Sequence, residues 1–293
     1  MKKILVTGGG FIGAEFVKTY KKKYDIVAPA SEEIDFSVYE EVSELFAQNK
    51  FDAVLHLAAK HKVLCENTDA ADDLIAFKNI QHAAARSGVK KLIAVSDCSD
   101  AAPRGCAENY REDDFEKCAP VFGNGLGRYL VNSLASKDNM STVLRLFGAF
   151  GAGALRADNS ITEILAPAVA GKKKQITLRG DKTVSVIYSE DVCKIIALFI
   201  NNDYPRGIYN VASPVAARLS DFAKKAKAYA KKNDRDIIVE IGKDEQKELT
   251  ADVSKLLGEI GQFKFTALST AINKTLDYYK THKSELKEEK QHD

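Results

Sequence analysis

The chain has 293 residues, 45% of them hydrophobic, enough for one large α/β domain or two unequal ones. Its 43 basic and 41 acidic residues leave a net charge of +2, so no global field favours nucleic acid or an acidic membrane. The five cysteines form no CxxC pair and the five histidines have no metal-ligand spacing, which removes a disulfide framework and a zinc site from consideration.

Met1-Lys2-Lys3 runs directly into Ile4-Leu5-Val6, too short an apolar run for a signal peptide or a membrane span. An odd cysteine count in such a chain points to reduced thiols and a cytoplasmic setting.

Apolar strand runs then alternate with helical patterns. Strands are expected at Lys3–Thr7, Asp25–Ala28, Ala53–Leu57, Lys91–Ser96 and Thr142–Phe147. Helices are expected between them at Phe11–Lys23, Val38–Gln48, Ala70–Ser87 and Phe122–Ser136. Gly88 sits where a left-handed helix cap is needed, and Lys21-Lys22-Lys23 and Lys172-Lys173-Lys174 read as solvated helix ends.

Unbroken apolar strands alternating with helices predict a doubly wound parallel sheet of Rossmann type over residues 1–150. After Gly148 the pattern loosens, as for a smaller C-terminal lobe over 151–293 with segments returning to the first domain. A helix is expected near Ile161–Ala170, and strands near Gln175–Leu178, Ser185–Tyr188 and Ile208–Val211. Ser189-Glu190-Asp191 reads as a helix start with a capping hydroxyl. Helices near Leu219–Lys232 and Leu268–His282 precede a charged tail.

The strongest local signal is Thr7-Gly8-Gly9-Gly10-Phe11-Ile12-Gly13, a GxGxxG directly after strand one and before helix one. Gly8 permits the tight turn, Gly10 lets backbone approach a pyrophosphate, and Gly13 lets helix and strand pack closely. The pyrophosphate would then rest on the N–H groups at the positive end of the helix. The acid that usually accepts from the adenine ribose falls near Ala30 or Ser31, with Glu32 and Glu33 just beyond, so NAD and NADP both stay open. Asp35-Phe36 follows, where an Asp can accept from an adenine amino group.

With those residues in hand, the chain resembles the NAD-dependent epimerase/dehydratase proteins of the extended short-chain dehydrogenase/reductase superfamily. The matching pieces include Ile4-Leu5-Val6-Thr7-Gly8, Ile34-Asp35-Phe36, His56-Leu57-Ala58-Ala59, Asn79, Val95-Ser96 and Leu144-Arg145-Leu146-Phe147. Tyr188-Ser189-Glu190-Asp191-Val192, Gly207–Ser213 and the stretch from Asp252 to Tyr279 extend the match over nearly the whole chain. The resemblance implies a seven-stranded Rossmann domain carrying NAD or NADP, with Leu57, Ala58, Ala59 and Ser96 lining the cofactor. It also implies a C-terminal lobe closing over a nucleotide sugar, and a homodimer built on two helices per subunit.

Two departures bear on function. The family's glycine loop is usually one residue longer. The family also places Tyr-x-x-x-Lys at the start of the fourth expected helix, so that the ammonium lies beside the phenol and lowers its pKa. Here those positions are Phe122 and Leu126, which cannot titrate. Tyr129 is the only nearby phenol, with Ser133 four residues on and Arg128 adjoining it. Tyr279-x-x-x-Lys283 has the spacing but lies in the C-terminal helix and tail.

Cys98 or Ser99 stands near the family's Ser/Thr. His56 reads as a residue fixing the strand-end turn, and Asp73 replaces a frequent Asn. Arg179 and Arg156 are the arginines that could take the family's nucleotide-gripping role. The expectation is an NAD(P)-binding nucleotide-sugar epimerase or reductase with Cys98, Ser99 and Tyr129 as candidate catalytic groups. The alternative is a degenerate member that serves as sensor, scaffold or partner subunit. No basic, aromatic-rich stripe invites nucleic acid.

Overall fold

A computed structural model describes residues 1–57, 67–100, 107–117, 119–120, 123–154, 160–169, 175–244 and 247–286. Ala58, Ala59, Lys60, Phe122, Arg156, the lysines at 172–174 and the cysteines at 65, 106 and 118 lie outside them.

The core is a parallel sheet. Strands β1 (Lys3–Thr7), β2 (Asp25–Val27), β3 (Ala53–His56) and β4 (Leu92–Asp97) come from the first hundred residues. β5 (Ala107–Tyr110) leaves for a second sheet, and β6 (Ser141–Leu146) returns. The order is β11-β6-β4-β3-β1-β2, where β11 is Gly207–Val211, and every neighbouring pair is parallel.

The sheet thus has six strands among the described residues, one fewer than the resemblance implies. The chain that continues β6 turns at Gly148, with φ 53°, and forms the short β7 (Ala149–Phe150), which pairs outside the main sheet with β10 (Ile187–Tyr188).

Strands β3 and β6 are buried along their whole length, as a sheet covered on both faces requires. Side chains alternate between two apolar clusters with the two-residue period of a strand. Leu5 faces Val42, Phe46 and Phe77, contributed by α2 (Tyr39–Gln48) and α3 (Asn67–Arg86). α4 (Gly123–Ala135) covers the same face through Val131 and Ala135. Ile4 and Val6 face Phe16 of α1 (Phe11–Tyr20) and Ile195, Ile196 and Phe199. α3 ends as expected, with Gly88 at φ 72°.

The second lobe has its own apolar cluster. α5 (Ser160–Leu165) stops short of the expected helix because Pro167 falls in the following turn, where a missing N–H and fixed φ end the α-ladder. Of the expected strand at Ser185–Tyr188 only β10 forms, and the short β9 (Thr183–Val184) lies just before it. β8 (Gln175–Leu178) pairs with β13 (Ile238–Ile241). β12 (Ala217–Arg218), β9, β14 (Leu249–Ala251) and β5 form a four-stranded sheet. α7 (Leu219–Lys232) and α9 (Leu268–Thr281) contribute Phe222, Ala226, Ile272 and Tyr279 to this lobe's apolar cluster.

α6 (Ser189–Asn201) and α8 (Ser254–Ile260) return to the first domain, where Ile196 and Leu256 join the cluster under β1. The start of α6 differs from expectation: Tyr188 is the cap, Ser189 is the first helical residue, and its buried hydroxyl has no hydrogen-bond partner. The acids are placed as expected, and Asp191 accepts from the Thr266 amide (2.6 Å) and hydroxyl (2.9 Å). At the other end Lys91 caps α6 through the Asn202 carbonyl (2.7 Å) and pairs with Asp203 (2.9 Å).

Candidate functional site

All six strands of the main sheet point their carboxyl ends to one edge, the edge where doubly wound sheets bind ligands. β1 ends at Thr7, whose hydroxyl meets Nδ1 of His56 at 2.8 Å, and the Leu57 amide donates to the Thr7 carbonyl at 2.9 Å. Burial, and then the Arg128 charge, hold His56 at about 3, so the imidazole is neutral at physiological pH. It locks two strand ends together.

The glycine loop lies directly beyond. Gly8 has φ 92°, which L side chains rarely adopt. A Cβ at Gly9 or Gly10 would meet nothing within 4 Å, and both residues are exposed. The loop therefore carries an open cradle on its outer side that side chains would fill. A Cβ at Gly13 would lie 2.2 Å from the Gly8 carbonyl oxygen and 3.7 Å from Leu57 Cδ1, so the helix is pressed onto the strand end.

The first helical bond of α1 runs from Ala14 to the Gly10 carbonyl, at 2.9 Å. This leaves the amides of Phe11, Ile12 and Gly13 outside the ladder. The start of α1 has no side-chain cap and no acid in its first turn. Backbone amides, helix dipole and open cradle together fit a pyrophosphate.

The glycine-rich segment after β7 comes close to this loop, since a Cβ at Gly153 would lie 3.7 Å from Phe11 Cβ. Tyr279 fixes that segment. Its buried hydroxyl donates to the carbonyl oxygens of Gly151 (3.3 Å) and Ala154 (3.0 Å) and meets Thr162 Oγ1 at 2.9 Å. Its spacing to Lys283 accordingly belongs to packing.

On the β2 side, Ser31 and Asp35 are exposed and Phe36 is half-buried. Asp35 Oδ1 accepts from the Ser37 amide (2.8 Å) and hydroxyl (2.6 Å). Asn79 on α3 anchors this loop by donating to the carbonyls of Phe36 (3.1 Å) and Ser37 (2.9 Å).

Beyond β4 a short turn, Cys98–Asp100, is gripped by two charge clusters. In the first, Arg128 Nε donates to Asp97 Oδ2 at 3.2 Å and Nη1 faces Asp73 Oδ2 at 3.6 Å. Partial burial works against a charge on Asp97, yet the guanidinium and the Ser99 amide hold its carboxyl below the usual carboxylate range. In the second, Asp100 and Arg145 are both fully buried, and Arg145 Nη2 donates to Asp100 Oδ2 at 3.0 Å. Asn132 donates to the same oxygen (2.7 Å) and to Ser96 Oγ (3.2 Å). Arg145 Nη1 continues to Asn210 Oδ1 at 3.2 Å. Burial pushes the Asp100 carboxyl up, with Arg145 opposing.

The candidate catalytic residues fall around this turn. Burial, with Asp97 and Asp100 adding to it, pushes the Cys98 thiol up to about 12, so the thiol stays protonated. The Ser99 amide donates to Asp97 Oδ1 at 2.8 Å. Tyr129 is half-buried and packs against the apolar cluster that contains Phe77 and Val131. Leu126 is half-buried.

The glycines around Leu126 have a packing reason. A Cβ at Gly125 would meet the Ser99 carbonyl at 2.8 Å, and one at Gly127 would meet Ala70 Cα at 3.2 Å. α4 is thus drawn onto both the turn and α3. Sequence reasoning noted Arg128 as a neighbour of Tyr129 and missed its two carboxylate partners, which lie 31 and 55 residues away in the chain.

Comparison with known proteins identifies the family. The model described as "NAD dependent epimerase/dehydratase family" matches residues 4–212, and the chain belongs to that family. Solved structures share the fold. A GDP-L-fucose synthetase from Naegleria fowleri is 19% identical with a TM-score of 0.85, covering 98% of this chain and 94% of that one. The UDP-glucose 4-epimerase of Thermotoga maritima is 18% identical with a TM-score of 0.79, covering 96% of this chain and 99% of that one. The Bordetella bronchiseptica enzyme WbmG is 20% identical with a TM-score of 0.80, covering 96% of each chain. No curated protein sequence matches the chain. Among the described residues no helix is long and apolar enough to cross a membrane, and no group of acids, histidines and cysteines could hold a metal ion.

Proposed function

We propose that this protein binds NAD or NADP across the carboxyl edge of its sheet and holds a nucleotide sugar against it, as an epimerase- or reductase-type member of its family. The observation that carries the reading is the glycine loop: Gly13 pressed against Gly8, with open space over Gly9 and Gly10. In this reading Gly8, Gly10, Phe11, Ile12 and Gly13 cradle the pyrophosphate. Ser31, Asp35 and Phe36 serve the adenosine end, Leu57, Ala58 and Ala59 line the ribose and pyrophosphate side, and Ser96 completes the cofactor site.

A bound nicotinamide supplies hydride exchange with a sugar carbon. The protein's part is to orient the two ligands and manage a proton, with Cys98, Ser99 and Tyr129 as the candidate groups. Structures of similar fold support the reading: one was solved with NADP, one with UDP-glucose and one with NAD and UDP.

A second reading, a binding protein that has lost its chemistry, is favoured by one specific feature. Leu126 stands where the family carries lysine, and the nearby Arg128 cation is already shared by Asp97 and Asp73. Nicotinamide fluorescence of the protein titrated with NADH and NADPH, followed by turnover on UDP-, GDP- and dTDP-sugars, separates the readings. Binding with turnover supports the enzyme, binding alone the sensor or scaffold, and no binding removes both.

A cytoplasmic homodimer belongs to this proposal. Cys98 and Cys193 are free thiols, and the half-exposed Ile75 on the outer face of α3 is a place for helix pairing. Light scattering of the pure protein measures the oligomer directly.

A further inference from the structure

Resting on the cofactor and nucleotide-sugar reading above, we infer that Asp97 is the proton acceptor of this site, and that its chemistry begins by oxidising a sugar hydroxyl, not by reducing a sugar carbonyl.

The sheet carries Asp97 to the right edge. β4 outruns β3, whose last residue, His56, lies opposite Ala94. Asp97 ends β4, opposite Leu146 of β6. The order β4-β3-β1-β2 puts the reversal of strand order between β1 and β3, where an open α/β sheet takes its ligand. β4 lies two strands from β1, about 10 Å away. A dinucleotide whose pyrophosphate rests on the loop after β1, with its adenosine over β2, lays its other half over β3 and β4, beside Asp97.

Asp97 is also better suited to take a proton than its neighbours on the turn. Burial and the carboxylates of Asp97 and Asp100 keep Cys98 a thiol. The Ser99 hydroxyl oxygen is shielded from solvent. Tyr129 packs on the apolar cluster. The Asp97 side chain, by contrast, is 42% exposed. Its Oδ1 accepts from the Ser99 amide at 2.8 Å and its Oδ2 from Arg128 Nε at 3.2 Å. A carboxylate has about four acceptor sites, so it can still receive a ligand hydroxyl. Arg128 is held on its other side by Asp73, at 3.6 Å, so the carboxylate is fixed in orientation. Burial opposes its charge, and Arg128 with the Ser99 amide outweighs burial, so Asp97 is ionised before any substrate arrives.

An ionised carboxylate can accept a proton and has none to give. The step that fits it is oxidation of a secondary alcohol. The carbinol C–H bond breaks and its electron pair leaves with the hydrogen, as hydride, for the oxidised nicotinamide. The O–H bond breaks, its proton passes to Asp97, and its electron pair closes the C=O bond. Two electrons pass from sugar to nicotinamide. Reduction of a ketone needs a proton donor, and Asp97 becomes one only after this first step.

The test uses the full-length protein with oxidised NAD or NADP and, in turn, UDP-glucose, GDP-mannose and dTDP-glucose. Calorimetry first measures binding of each. At least one sugar should then reduce the nicotinamide, at a rate flat between about pH 5 and 8, because Asp97 titrates below that window. Asp97→Asn should cut the rate by about 100-fold or more and keep nucleotide-sugar affinity within about threefold. The carboxylate carbon resonance that this variant lacks identifies Asp97 in the parent, and it should move when the sugar binds. A full rate in Asp97→Asn, a stationary Asp97 resonance on sugar binding, or a parent rate that falls below about pH 6.5 as a histidine's would, each overturns the inference and leaves the cofactor reading standing. Binding of both ligands to the parent without nicotinamide reduction overturns it too, and favours the binding protein. Failure of the parent to bind dinucleotide or sugar takes down the reading itself, and the inference with it.

Discussion

Gly13 and Gly8 touch so closely that a single added carbon at residue 13 would sit 2.2 Å from the Gly8 carbonyl oxygen. Gly10, three residues earlier, has open space on the side where its Cβ would project, and its φ of −58° suits any residue. The two glycines therefore separate folding from binding. Gly13→Val should abolish dinucleotide binding and lower stability by about 1–3 kcal/mol through overpacking. Gly10→Ala should leave stability within about 0.5 kcal/mol and still weaken the dinucleotide, because the methyl group enters the cradle. Calorimetry with NADH and thermal melts measure both. Unchanged affinity in Gly13→Val would falsify the assignment of the loop.

His56 should make the protein acid-sensitive. The side chain titrates near 6.5 in an unfolded chain and is held at about 3 when folded. Between those values the unfolded state binds the extra proton, so stability is fully present above about pH 6.5. It is lost on acidification at about 1.4 kcal/mol per pH unit down to about pH 3. Denaturant titrations at several pH values read the slope. His56→Asn, which keeps a hydrogen-bonding group for Thr7, should flatten it.

Arg128→Ala leaves Asp73 and Asp97 facing each other without their shared cation. Asp97 is partly solvated, so the expected cost is about 2 kcal/mol, below the range for fully buried pairs. The same substitution removes one of the two influences that hold His56 low, so the His56 pKa should rise. Imidazole proton shifts followed by NMR would show it, and an unmoved His56 would mean that the Arg128 charge does not act on it.

Asp100→Asn tests the deeper cluster. It leaves the wholly buried Arg145 charge without its carboxylate, and a loss of about 3–5 kcal/mol is expected. A loss under about 1 kcal/mol in chemical denaturation would mean that the turn after β4 is held by packing alone.

Phe122→Tyr with Leu126→Lys restores the Tyr-x-x-x-Lys spacing of the family. The expected outcome is a gain in nucleotide-sugar turnover over the parent. Family-level turnover in the parent itself would show that a different pair already does the chemistry.

Much of this architecture could be read before any coordinates. β1, α1, β2, α2, β3 and β4 follow from uninterrupted apolar runs and helical spacing, and their ends fall within two or three residues of expectation. β5, β13 and β14 could not be read that way. They are three or four residues long, polar or half-exposed, and exist because distant segments pair: β5 with β14 and β13 with β8. The glycine loop was legible because its spacing marks a tight turn at Gly8 and close packing at Gly13, with Gly10 open between them. The charge clusters were not, since Asp100 and Arg145 meet across 45 residues and Thr7 and His56 across 49. Gly125 and Gly127 lie within the fourth expected helix, and only their contacts with Ser99 and Ala70 show what they are for.

The chain's path between its lobes has a consequence for how such a protein diversifies. β11 completes the sheet beside β6, and α6 and α8 cover its underside, although all three follow the first stretch of the second lobe. The second lobe is thus a set of loops inserted between sheet elements, not an appendix. A single recombination near residue 150 would strand β6 with a bare edge. Chimaeras that trade ligand specificity with a relative must exchange several noncontiguous segments together, while point changes within those segments leave the order of the sheet untouched.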